Sequence, residues 1–160
     1  PVPRDEAGAR RRHAPRWCAD IPESGRAAER YGPGRVGNTG RPTRVLIAED
    51  DDSLRALLRL SIDVGGLDIA ETADGTSALD LARETPPDLV LLDWMMPGLS
   101  GLDLCRALRA DPRTSGATIV MVTARAMARD REAALEAGAD HYVAKPFSPG
   151  ALLETVRHAL

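Results

Sequence analysis

The chain has 160 residues, 43% of them hydrophobic and 28% charged, with a formal net charge of −3 at neutral pH. That length suits one domain with a full core and excludes two of ordinary size. No apolar run approaches bilayer-spanning length, the two cysteines give neither metal spacing nor a disulfide framework, and the basic run Arg10, Arg11, Arg12 has no apolar segment after it to make a secretory signal.

Charge divides the chain. Residues 1–42 hold nine arginines and five acids out of chain totals of 21 basic and 24 acidic residues, so everything after them is strongly acidic. The first segment is rich in Arg, Gly and Pro, has almost no β-branched residues and shows no apolar periodicity, so it is expected to be disordered. Lacking aromatic interleaving or an amphipathic face, it reads as a solvated tail rather than a nucleic-acid or membrane anchor. The chain opens on Pro1 rather than Met, which leaves an upstream linker or a misplaced start open. A reducing, cytoplasmic location is expected.

From Arg44 onward strand and helix patterns alternate five times. A short apolar strand, 45–48, precedes a helix over 53–64 with Leu54, Leu57, Leu58 and Ile62 at helical spacing, Asp51 or Asp52 as its cap and Gly65-Gly66 as its stop. A mixed polar and apolar strand, 69–72, suits a sheet edge, and Asp74-Gly75 leads into a helix with Ala78, Leu81 and Ala82 on one face, closed by Pro86-Pro87. The run 89–92 is apolar at every position, as a central strand covered on both faces must be. A helix through Leu102, Cys105 and Leu108 stops before Pro112, and 118–122 is a fourth, buried strand. An Ala-rich, heavily charged helix from about 127 to 137 should be the most loosely packed, and Gly138 ends it. Residues 142–144 make a short fifth strand, and the last helix should turn Leu152, Leu153, Val156 and Leu160 inward. Repeated strand–helix units with short loops predict an α/β, doubly wound parallel sheet of five strands in the order 2-1-3-4-5, with a switch point between strands 1 and 3.

Ligands of such sheets bind beyond the carboxyl ends of the strands. There strand 1 delivers Glu49 and Asp50, strand 3 Asp93, strand 4 Thr123 and strand 5 Lys145 followed by Pro146. Three carboxylates at one sheet end repel one another, which should raise at least one of their pKa values and predicts a hard divalent cation, Mg²⁺, between them. Alone, Glu49 to Asp52 would equally serve as a solvated acidic cap. Lys145 decides between the two, because it is the one lysine in a chain that uses arginine at twenty other positions. A compact ammonium on a flexible stem suits a phosphoryl oxygen better than a planar guanidinium does.

AEDD after strand 1, LLDWMMPG around strand 3, VTA after strand 4 and YVAKPF at strand 5 resemble, in order and spacing, the four motif blocks of the response-regulator receiver domain of two-component signalling. The resemblance covers 44–160, within a domain taken as 43–160, and it implies a flavodoxin-like (βα)5 fold. It implies that Asp93 is the phosphoacceptor, charged by a sensor histidine kinase or phosphotransfer protein. It further implies Mg²⁺ held by Asp50, Asp93 and the backbone carbonyl of Met95, with Glu49 acting through water. Thr123 and Lys145 would bind phosphoryl oxygens, Thr123 and Tyr142 would form the switch, and Lys145-Pro146 would be a cis peptide. Glu49 stands where the family often has Asp, which lengthens the reach to the metal. The implied product adds roughly two negative charges, to be read by the surface from strand 4 to helix 5. The chain stops where the fifth helix ends, so it is expected to act by docking an effector protein or a second copy through helix 4, strand 5 and helix 5, or to be an excised receiver. No direct nucleic-acid or membrane contact is expected of this domain.

Two other classes share parts of the pattern. Haloacid-dehalogenase-like phosphatases turn over an aspartyl phosphate with a second Asp two residues on, where this chain has Met95. A flavin-binding module would need a Ser/Thr/Gly-rich phosphate loop after strand 1, where carboxylates stand instead.

Overall fold

A computed structural model describes residues 41–125 and 127–160. The elements run β1 (Thr43–Ala48), α1 (Asp52–Ile62), β2 (Leu67–Thr72), α2 (Gly75–Glu84), β3 (Leu89–Leu92), α3 (Gly101–Ala110), β4 (Thr118–Thr123), α4 (Ala128–Glu136), β5 (His141–Ala144) and α5 (Pro149–Ala159). All strand pairs are parallel, in the order β2-β1-β3-β4-β5, as the alternating pattern predicts. The tail assigned to 1–42 lies outside the described residues except for its last two. Of these, Arg41 is held by a two-pronged pair to Asp88, with both nitrogen–oxygen distances 2.8 Å, and Asp88 also accepts from the Arg44 amide.

Side chains of a strand alternate between the two faces of its sheet, and helices cover both faces here. Leu46, Val90, Leu92, Ile119 and Met121 pack on the side of α2, α3 and α4, against Ala78, Leu104 and Leu108. Val45, Ile47, Leu91, Val120 and Val122 pack on the other side, against Leu58 and Ile62 of α1 and Leu152 and Val156 of α5. Every residue of β3 is buried, which is why its sequence shows no alternation.

Several boundaries differ from the sequence pattern. β1 and β2 each begin two residues earlier, and α1 ends at Ile62 rather than Val64, where Asp63 closes it by donating its amide to the Arg59 carbonyl. Leu57 shares the spacing of the buried face of α1 but is 40% exposed, whereas Leu58, Ser61 and Ile62 are buried. Periodicity gives the direction of a face, while the neighbour decides its width. In α5, Leu152, Val156 and Ala159 are buried, whereas Leu153 and Leu160 are half-buried. Of α4 only Asp130 and Ala134 are buried, and its N-cap, Met127, has no side chain to bond the first turn. This agrees with its expected loose packing. Among the described residues no helix is long and apolar enough to cross a membrane.

Candidate functional site

The register of the sheet brings the ends of β1, β3 and β5 to one edge, and the residues just past them line an open cleft of about 500 Å³. Glu49, Asp50, Asp93, Met95 and Lys145 all face it. The β1–α1 loop is tightly fixed. Asp51 accepts the Leu54 amide at 2.8 Å and so caps α1, the Asp51 amide reaches Glu49 Oε1 at 3.3 Å, and Arg55 donates to the Glu49 carbonyl at 2.7 Å while pairing with Asp52. Behind β3, the chain turns through Gly98, at φ +77°, before Gly101 opens α3. A Cβ on Gly101 would lie 2.1 Å from the Asp93 carbonyl oxygen, so only glycine lets α3 approach the loop this closely.

Carboxylate oxygens of Glu49, Asp50 and Asp93 lie within 4.8 Å of one another. Glu49 and Asp93 are buried, at 1% and 6% exposure, while Asp50 is exposed. Lys145 Nζ donates to Glu49 Oε2 at 2.7 Å and lies 3.2 Å from Asp93 Oδ1, so one ammonium bridges both buried acids. Burial pushes the Glu49 carboxyl above its ordinary 4.5, the Lys145 hydrogen bond pulls against that, and the charge of Asp93 adds to the rise. Crowding predicts a raised carboxylate, and one is present, but its largest cause is loss of water rather than repulsion.

Three oxygen donors around one point, one of them open to solvent, fit a hard divalent cation that keeps part of its water shell. Softer metals favour nitrogen or sulfur ligands, which this cluster does not offer.

Thr123 and Tyr142 are placed differently. Thr123 is buried at the end of β4, where its carbonyl accepts the Lys145 amide at 2.8 Å and its Oγ1 accepts the Arg125 amide at 3.3 Å. It does not line the cleft itself. Tyr142 is half-buried on β5, and its hydroxyl donates to the Arg125 carbonyl. The Lys145–Pro146 peptide is cis. The sequence pattern does not single out Trp94, Arg125 or Asp130. The Arg125 guanidinium lies 5.1 Å from the centre of the Trp94 ring and 3.5 Å from Asp130. No spacing signal links residues this far apart, although an acid on the inward face of a helix is one that could be looked for.

A doubly wound α/β protein with an acidic cluster and a lysine at the carboxyl ends of its strands is thus defined by fold and site together. The chain belongs to the response regulator receiver domain family, whose model matches residues 45–157. It is 49% identical over 117 residues to the DNA-binding response regulator MtrA of Mycolicibacterium paratuberculosis, covering 73% of this chain and 51% of that protein. It is 40% identical over 117 residues to the phosphate regulon transcriptional regulatory protein PhoB of Rhizobium meliloti, covering 73% and 52%. The chain therefore spans about half the length of the curated relatives it matches. Among solved structures, the chemotaxis protein CheY4 of Vibrio cholerae superposes with a TM-score of 0.70 at 27% identity, covering 74% of this chain and 99% of that one. The domain is thereby a signalling module of two-component systems.

Proposed function

We propose that this receiver domain takes a phosphoryl group onto Asp93 from the phosphohistidine of a sensor kinase or phosphotransfer protein. The observation that carries the reading is the bridging of the buried Asp93 and Glu49 by the chain's one lysine, at the mouth of an open cleft. In the transfer an Asp93 carboxylate oxygen forms the new bond to phosphorus, the bond from phosphorus to the imidazole nitrogen breaks, and the electron pair leaves with the imidazole. Such transfers depend on positioning and on neutralising charge on the equatorial oxygens more than on covalent chemistry. Lys145 neutralises one oxygen, and the Thr123 hydroxyl, which does not line the cleft in this conformation, turns toward it to donate to another. Asp50, Asp93 and the Met95 carbonyl, with Glu49 through water, would hold Mg²⁺, which would supply the remaining positive charge.

The domain acts as a switch rather than a phosphatase. Met95, exposed where a hydrolytic enzyme would carry a carboxylate, cannot take the proton of a water attacking the acyl phosphate. Phosphorylation is read through Thr123 and Tyr142 by the surface of α4, β5 and α5, which docks an effector protein or a second copy of the chain. A cytoplasmic location follows from such a partner set. The test is intact mass after incubation with acetyl phosphate and Mg²⁺. The parent should gain one phosphoryl group and Asp93→Ala none, whereas labelling that survives in the variant refutes the assignment.

A further inference from the structure

Of the three acids in the cluster, Glu49 and Asp93 are buried and gripped by Lys145, while Asp50 is exposed. Among the described residues no hydrogen bond or ion pair holds the Asp50 carboxylate, so its place beside the other two is set by the backbone that delivers it. A peptide unit is planar, and the direction of the Glu49 carbonyl therefore sets the plane that leads into the Asp50 Cα. That carbonyl accepts Arg55 Nη1 at 2.7 Å. Arg55 lies one turn into α1, where its amide donates to the Asp51 carbonyl at 2.8 Å, and its side chain is only 18% exposed. Its Nη2 pairs with Asp52, so one guanidinium is fixed between the start of the helix and the strand end before it. A cation near the amino end of a helix works against the helix dipole, so the stability of α1 itself does not account for an arginine there. Arg55 does not line the cleft.

From this arrangement we propose that Arg55 is a positioning residue of the acidic site: it fixes the peptide between Glu49 and Asp50, and so holds the Asp50 carboxylate in place for the cation without touching the cation itself. The proposal rests on the Mg²⁺ site of the function argued above. Two effects of Arg55 oppose each other there. As a charge it repels an incoming cation, and as a donor it spares the cation the cost of ordering an exposed ligand on a free loop. Its charge is already met by Asp52 and spent on a carbonyl oxygen, which leaves little field to act on the metal. Groups that orient a metal ligand from behind, by contrast, change affinity strongly when they are lost. Positioning therefore outweighs repulsion, and removing the arginine should weaken binding of a cation even though a like charge has gone.

The experiment is a Mg²⁺ titration of the full chain, read as the rise in melting temperature above each protein's own value in EDTA. The apparent Kd follows from the concentration dependence of that rise and is separate from any loss of metal-free stability. Arg55→Met, which keeps an unbranched stem and removes both the donors and the charge, should raise the apparent Kd about tenfold, the lower end for loss of a group behind a metal ligand. If Arg55 acted through its charge alone, the same variant would bind Mg²⁺ more tightly than the parent. Arg55→Lys still offers a donor to the Glu49 carbonyl, so it should bind Mg²⁺ more tightly than Arg55→Met, and it guards against local misfolding of that variant. The positioning role is overturned if Arg55→Met has an apparent Kd equal to or below that of the parent, whatever its melting temperature in EDTA, or if Arg55→Lys binds no better than Arg55→Met. The parent separates the two levels: a responsive parent with an unmoved Arg55→Met sinks the role of Arg55 alone, and a parent indifferent to Mg²⁺ sinks it together with the cation site beneath it.

Discussion

Lys145 sits 2.7 Å from Glu49 Oε2, closer than to Asp93, so the buried glutamate is the main partner of the ammonium. Even so, burial holds the Glu49 carboxyl above its ordinary 4.5. A group whose pKa is raised by folding gives stability that is fully present below the unfolded value and is lost as pH rises through the folded one. Without metal, the melting temperature should therefore fall as pH climbs above 4.5, and Glu49→Gln should flatten that descent. Asp111, pulled from 3.8 to about 2 by hydrogen bonds from Arg113, works in the opposite sense, but its contribution disappears only as pH falls through that lower window. Calorimetry in EDTA from about pH 4 to 7 checks this, and a variant that retains the full descent would point to a different group.

The acidic cluster also predicts a response to metal. A cation that binds only the folded form at about 100 times its Kd adds about 2.7 kcal/mol, worth several degrees in a domain of this size. The parent should gain that much with Mg²⁺. Asp50→Asn should respond far less, and in EDTA it should be more stable than the parent because one of three crowded charges has gone. Paired melts decide the point.

Lys145→Arg separates charge from geometry. The guanidinium keeps the charge but is planar and longer than the pocket shaped around an ammonium that touches two carboxylates. The variant should still take up phosphate by intact mass, yet bind its partner weakly once phosphorylated. Partner binding equal to that of the parent would count against a signalling role for the ammonium.

The sequence pattern expects removal of residues 1–42 to leave stability unchanged, and the Arg41–Asp88 pair divides that expectation. Removing 1–40 should leave the melting temperature as it is. Removing 1–42 should lower it by what a two-pronged, partly buried ion pair contributes, up to about 1 kcal/mol. Equal melting temperatures for the two truncations would show that the pair contributes nothing measurable.

Much of this architecture is legible in the sequence because the sheet writes itself in uninterrupted apolar runs that end abruptly in carboxylates. Leu89 to Leu92 followed by Asp93 is the clearest case, and the strand order follows from repeated units rather than from any one residue. Contacts that join elements distant in sequence are not legible. Arg125 meets Trp94, thirty-one residues before it, only because β4 lies beside β3, and no periodicity encodes that. Leu57 shows the same limit on a smaller scale. Its spacing matches the buried face of α1, but it lies at the lining of the open cleft and stays 40% exposed.

The most direct test of the central claim is chemical mapping of the phosphorylated residue. Borohydride reduces an acyl phosphate to the alcohol, so an aspartyl phosphate becomes homoserine that peptide mass spectrometry can locate. After acetyl phosphate and Mg²⁺, homoserine should stand at position 93 in the parent and be absent when acetyl phosphate is omitted. Homoserine at Asp50 or elsewhere, or phosphate carried by a hydroxyl such as Thr123 that borohydride leaves intact, would contradict the assignment of Asp93 as the acceptor.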